Sequence, residues 1–159
     1  MFAGITLVAA AAASAAEPTN ADIAFVHAAA QSGMAEIALS RLAIDAARSA
    51  AIRSFAQQMV QEHARSNDAL TGIATREKIP LPTDLDNGHA ALVRDLANLK
   101  GTQFDRRYVQ AMQDDHRHLA DLLRSSETAV SDPQLKEFIA ATLPAVEAHA
   151  GMADRLRVE

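Results

Sequence analysis

Between residues 20 and 48, apolar side chains recur at three- and four-residue intervals, through Phe25, Ala29, Leu39 and Ala43. A neighbouring stripe of Ile23, Val26, Ala30, Gly33, Ile37 and Ile44 widens the face. This period matches the turn of an α-helix and predicts one broad apolar surface. Three further stripes follow. The second runs through Ile52, Ala56, Met59, His63, Ser66, Leu70 and Ile73, and the third through Val109, Met112, His116, Leu119 and Leu123. The fourth uses Leu135, Ile139, Thr142, Val146, His149, Ala153 and Leu156. Four long helices are therefore expected.

Their ends carry local signals. Thr19 or Asn20 caps the first helix, which runs to about Arg48, and Ser49 caps the second. The second ends near Lys78, with Arg76 and Lys78 suiting the negative end of its dipole, before Ile79-Pro80-Leu81-Pro82. Residues 79–101 form a long connection, with turn signals at Asn87-Gly88 and Lys100-Gly101. A short helix between them uses Leu92, Leu96 and Leu99. Thr102 is expected to cap the third helix, which runs to about Val130, with Asp105 completing a partial capping box. Asp132-Pro133 opens the fourth, with proline at the first helical position. Pro144 lies inside that helix, where a missing donor predicts a kink or bulge. The bend either turns His149 inward or is merely tolerated.

Composition narrows the class. A chain of 159 residues, 49% hydrophobic and with six glycines, suits one all-α domain with a sizeable core. The net charge of -5 and the scattered basic residues argue against nucleic acid as a partner. No cysteine is present, so disulfides and thiolate ligands are excluded. Residues 1–16 are apolar, end in small residues around Ala13-Ser14-Ala15, and read as a signal peptide, with the bundle domain over 17–159. A membrane anchor is the other reading, but this run is short for a span. Export places the mature domain in the periplasm or cell envelope, with no integral span.

Each long helix also carries one ligand-type side chain on its apolar stripe: Glu36, His63, His116 and His149. His63 and His116 each lie 14 residues past their caps, about 21 Å along helices about 42 Å long. Glu36 lies about 18 Å before the end of its helix, and His149 about 25 Å past its start. In a bundle, all four fall within one turn of the middle. An internal similarity at an offset of 53 residues reinforces this. Ser49, Arg53, Phe55, Met59 and His63 correspond to Thr102, Arg106, Tyr108, Met112 and His116.

Three imidazoles and a carboxylate suit Zn, Cu, Ni or non-haem Fe. Glu62, Asp115 and Glu147 lie beside the histidines in sequence but about 100° or more off on their own helices. They would act across helix interfaces, as acceptors that orient the ligands or as further ligands. A second reading stays open, in which Glu36 hydrogen-bonds the histidines and the layer only fixes helix register. His27, His89 and His118 suit surface or structural roles, and Met59 and Met112 suit core filling. No phosphate-binding loop or nucleophile elbow is present.

Several short motifs resemble an exported bacterial family, the domain of unknown function 4142. They are Gly33-Met34-Ala35-Glu36, Phe55-Ala56 with Met59 and His63, Gly101 with Phe104-Asp105 and Tyr108, Asp115-His116, Asp132-Pro133, and Leu143-Pro144 with His149. The resemblance covers residues 22–156 and implies a ferritin-like four-helix bundle in the envelope, with no established reaction. The Glu-x-x-His spacing of di-iron ferritins is missing, since Glu62 adjoins His63 and Glu147 lies two residues before His149. A single-metal His3Glu site, with a storage or stress-protection role and no turnover, is the expectation. A metal-free interaction bundle and a metal-dependent redox enzyme are the alternatives.

Overall fold

Thr19 starts the first helix, α1 (Asn20–Ala46), by a reciprocal capping box with Asp22: the Thr19 hydroxyl accepts the Asp22 N–H, and the Asp22 carboxylate accepts the Thr19 N–H. The computed structural model describes residues 17–158, so the expected signal peptide lies outside the described residues. Ser49 is the N-cap of α2 (Ala50–Arg76), but its side chain makes no capping bond. Asp105, from far along the chain, accepts the Arg48 and Ser49 N–H groups at 2.9 and 3.0 Å instead. At its other end, α2 closes with Lys78 at φ 54, the Lys78 N–H on the Thr75 carbonyl and the Ile79 N–H on the Ala74 carbonyl. That is a Schellman termination with lysine in the position glycine usually takes.

Asp86 caps α3 (Asn87–Ala97), accepting the His89 N–H, so Asn87-Gly88 begins a helix where the sequence suggested a separate turn. The next helix, α4 (Gly101–Ala129), starts slightly before the expected Thr102 cap. Asp105 serves no capping box there because its carboxylate is spent on the start of α2. Asp132 caps α5 (Pro133–Arg155) through the Leu135 N–H, and the helix continues through Pro144. All regular structure among the described residues is helical.

Two ties set the topology. Asp22, at the start of α1, accepts the Ser131 N–H and hydroxyl at 2.8 and 2.7 Å, holding the α4–α5 turn. Asp105, at the start of α4, holds the α1–α2 turn. Helices α1 and α4 are therefore antiparallel neighbours, while α2 and α4 run parallel across the bundle. The connection returns along α1, with His27 donating to the Pro80 carbonyl and Gln31 bonding Asp84 and Asp86. Its helix α3 packs on α1 and buries Leu96. This long return between two parallel helices is the ferritin-like arrangement.

The parallel course of α2 and α4 explains the internal similarity. Residues equally far from the two helix starts lie at one height, so Phe55 meets Tyr108 with ring centroids 6.4 Å apart, and His63 meets His116 at 5.5 Å. The apolar core falls into two separate clusters. One, around Phe25, Leu70, Leu123, Leu135 and Ile139, fills the end nearest the α4–α5 turn. The other, around Leu39, Ile52, Met59, Phe104 and Met112, fills the opposite end. The polar residues of the four stripes lie between them.

Candidate metal centre

Glu36 comes from α1, His63 from α2, His116 from α4 and His149 from α5, and none is more than 5% exposed. The three imidazoles form a nearly equilateral triangle, with centroid separations of 5.4, 5.5 and 5.6 Å. One ring nitrogen from each lies within 4.8 Å of its counterparts in the other two. The burial follows from the sequence: each histidine sits on its helix's apolar stripe, so packing the stripes together carries the rings inside.

In two of the three rings, hydrogen bonds fix which nitrogen is free. His116 Nδ1 donates to the Met112 carbonyl at 2.8 Å, one turn earlier in α4, leaving Nε2 as a lone pair. His149 Nε2 donates to Glu62 at 2.5 Å across the α2–α5 seam, leaving Nδ1 free. Gln58 in turn donates to the other Glu62 oxygen at 3.0 Å. Three of the other ring nitrogens, His63 Nε2, His116 Nε2 and His149 Nδ1, are buried with no hydrogen-bond partner. Each such unmade bond costs roughly 1–3 kcal/mol.

Charge follows the same logic. Burial, with the neighbouring imidazoles, pushes His63 down to about 3, and burial chiefly pushes His116 down to about 4. Both rings are neutral near pH 7, the form that binds metals. Glu36 is driven the other way, well above the usual carboxylate range, by burial and then by the charge of Asp115. Burial also tends to raise Glu62, but hydrogen bonds from His149 and Gln58 outweigh it and hold the carboxyl low.

The placement of the sequence candidates is uneven. Glu36 Oε1 stands 3.3 Å from His116 Nδ1, the nitrogen facing away from the shared space, and neither Glu36 oxygen has a hydrogen-bond partner. The compact group of possible ligands consists of the three histidines without it. Glu62 is the carboxylate that orients one of the three imidazoles, His149. Asp115 is half-buried, one oxygen unpartnered, its carboxyl raised by burial. Glu147 departs from expectation: it lies on the outer face of α5, paired with Arg124 at 2.7 Å. Two residues of helix rotate a side chain by about 200°, so a buried His149 sends Glu147 to solvent.

An ion bound at about 2.0–2.1 Å would hold tetrahedral nitrogens about 3.4 Å apart, so the 4.8 Å grouping needs to contract by at most about 1.4 Å. The neutral His63 and His116 rings, the tautomers fixed at His116 and His149, and the three orphaned nitrogens fit such an ion.

Comparison with known proteins agrees with the fold. A DUF305 fragment from Deinococcus radiodurans superposes with a TM-score of 0.77 at 16% identity, covering 89% of this chain and all of that one. CopM in its silver-bound form, obtained by co-crystallization, gives a TM-score of 0.66 at 16% identity, over 83% of this chain and 91% of that one. No curated protein sequence matches. Among the described residues, no helix is long and apolar enough to cross a membrane. The family profile for the "Domain of unknown function (DUF4142)" matches residues 7–156, and the chain belongs to that family.

Proposed function

We propose that the protein binds one transition-metal ion through His63 Nε2, His116 Nε2 and His149 Nδ1, in a buffering or stress-protection role in the cell envelope. The observation that carries this reading is the set of three orphaned nitrogens converging in a buried layer. Two of their partners, the Met112 carbonyl and Glu62, already hold the tautomers that metal ligation needs. Glu36, drawn from the sequence as a fourth ligand, is assigned a supporting place behind His116, where its charge would offset that of the cation. The apolar run over residues 1–16 supports the envelope location. Nitrogen donors without thiolate suit Zn(II), Cu(II) and Fe(II). The silver-bound state of CopM adds Ag(I), and with it the chemically similar Cu(I), to the ions worth testing.

The competing reading, a metal-free layer that sets register, draws on the contacts His149–Glu62 and His116–Glu36. Metal analysis of untagged protein separates the two. One ion per chain, lost in a His63→Ala, His116→Ala double variant, is expected. Saturating metal should raise the Tm by about 10 °C, corresponding to about 4 kcal/mol of linkage at a thousandfold excess over Kd. Absence of stoichiometric metal, with a Tm indifferent to chelator and to every ion tested, refutes the proposal. Glu36→Gln tests the supporting place: affinity falls about ten- to a hundredfold with stoichiometry kept. A changed Co(II) visible spectrum in that variant would instead make Glu36 a ligand.

A further inference from the structure

A cavity of about 60 Å3 lies next to the histidine layer, on the side of the Leu70–Leu123 core cluster. His63 and His149 form part of its wall, and His116 and Glu36 do not. Leu70, Leu123, Phe138 and Val146 make most of its lining apolar. Ser66 and Asn67 of α2 and Thr142 and Ala145 of α5, all partly or fully exposed, mark where it meets the surface. Of the neighbouring pairs in the bundle, α2 and α5 are the most loosely packed. Gly33 helps shape this side. A Cβ there would run into the Asn67 side chain, which lies against the α1 backbone.

Three imidazoles leave a tetrahedral ion one position short. Glu36 stands on the far side of His116 from the shared nitrogens, so it does not close that position. The cavity wall contains two of the three rings, and its volume equals the share of about two waters. Its lining includes no lysine or arginine, and its one carboxylate is Glu62. That combination disfavours anions and favours an uncharged molecule.

We infer that the fourth position of the ion faces this cavity and admits a small, uncharged lone-pair donor of two or three heavy atoms along the α2–α5 seam. The inference rests on the metal reading above and extends it to the ion's fourth position. Carbon monoxide is the probe, because it is neutral, fits the volume and reports on Cu(I) through its C–O stretch. Protein loaded with Cu(I) under reducing, anaerobic conditions is titrated with the gas and followed by infrared absorption. A saturable one-to-one adduct is expected in the wild type.

Ala145→Phe and Thr142→Phe each place a ring at the mouth from a side chain that is not deeply buried, so the fold should tolerate them. Both should keep Cu(I) affinity within about threefold while weakening carbon monoxide binding about tenfold. Full Cu(I) loading with no adduct means a closed site, which overturns this inference and leaves metal binding standing. An adduct equally tight in both folded, loaded variants puts the open position elsewhere and also overturns it. Failure of Cu(I) to load through the histidines overturns this inference, while metal binding itself is decided by the full series of ions named above.

Discussion

Replacing His63 by phenylalanine should make the metal-free protein less sensitive to acid. In the folded state the His63 imidazole is 5% exposed and pushed down to about 3, whereas in the unfolded chain it titrates near 6.5. Between those values the unfolded state binds a proton that the folded state refuses, so stability falls as pH falls. His63's contribution is complete above about pH 6.5 and drains away on acidification towards about 3. From about pH 7 to pH 5 this one ring costs roughly 2 kcal/mol, from a slope near 1.4 kcal/mol per pH unit. Phenylalanine has similar bulk and no proton to bind, so His63→Phe removes that slope while the remaining groups stay common to both proteins. Urea unfolding of both proteins in chelator, at about pH 7 and pH 5, gives the double difference directly. The variant should gain about 2 kcal/mol on the wild type over that interval. Parallel pH profiles would refute the reasoning, because they would mean that the folded protein protonates His63 as readily as the unfolded chain.

Other predictions concern the ties that set the layer's geometry. Asp22→Ala should lower stability by about 2–4 kcal/mol in urea unfolding, since it removes a capping box and the Ser131 contacts together. Burial raises the Asp22 carboxyl, but its bonds to Thr19 and Ser131 outweigh this and hold it well below the carboxylate range. Its contribution is therefore present above about pH 3.9 and lost below, so wild type and variant should converge in strong acid. Asp105→Ala strips the Arg48 and Ser49 N–H groups of their acceptor and should cost about 2–3 kcal/mol by the same assay. Lys78→Gly relieves a left-handed lysine and should raise stability by about 0.5–1 kcal/mol, read as a higher Tm.

Local chemistry made much of the fold legible. The Asp132-Pro133 start and the 3.6-residue stripes depend only on neighbours in sequence, and they located the helices to within a few residues. Height could be read as well, because a helix is a ruler: equal distances from two parallel starts bring His63 and His116 together. Contacts that cross the bundle escaped. Asp105 has the spacing of a capping-box residue for its own helix, yet it caps the chain 56 residues earlier, and only the topology decides between these uses of one carboxylate. Glu62, Asp115 and Glu147 looked equivalent as neighbours of the histidines. Rotation about each helix separates them, sending Glu62 across the seam to His149 and Glu147 to Arg124 at the surface.

The form of the polar layer bears on why a chain would keep one. A layer that serves only to set register needs its donors and acceptors matched, since each buried mismatch costs stability and adds no specificity. Here the matched bonds all lie on the outer side of the rings, at the Met112 carbonyl and Glu62. The unmatched ring nitrogens lie on the inner side, one from each imidazole, and burial keeps two of those rings, His63 and His116, neutral. With the His116 and His149 protons spent on Met112 and Glu62, only the His63 proton could turn inward, and it could pair with one facing nitrogen and leave the other unmatched. A single cation would supply the missing partner for three nitrogens at once and place positive charge near Glu36, whose carboxyl burial otherwise pushes well above the usual carboxylate range. The two apolar clusters on either side would then be joined through one coordination sphere, which makes the bundle's stability depend on the ion and the ion's affinity depend on the bundle.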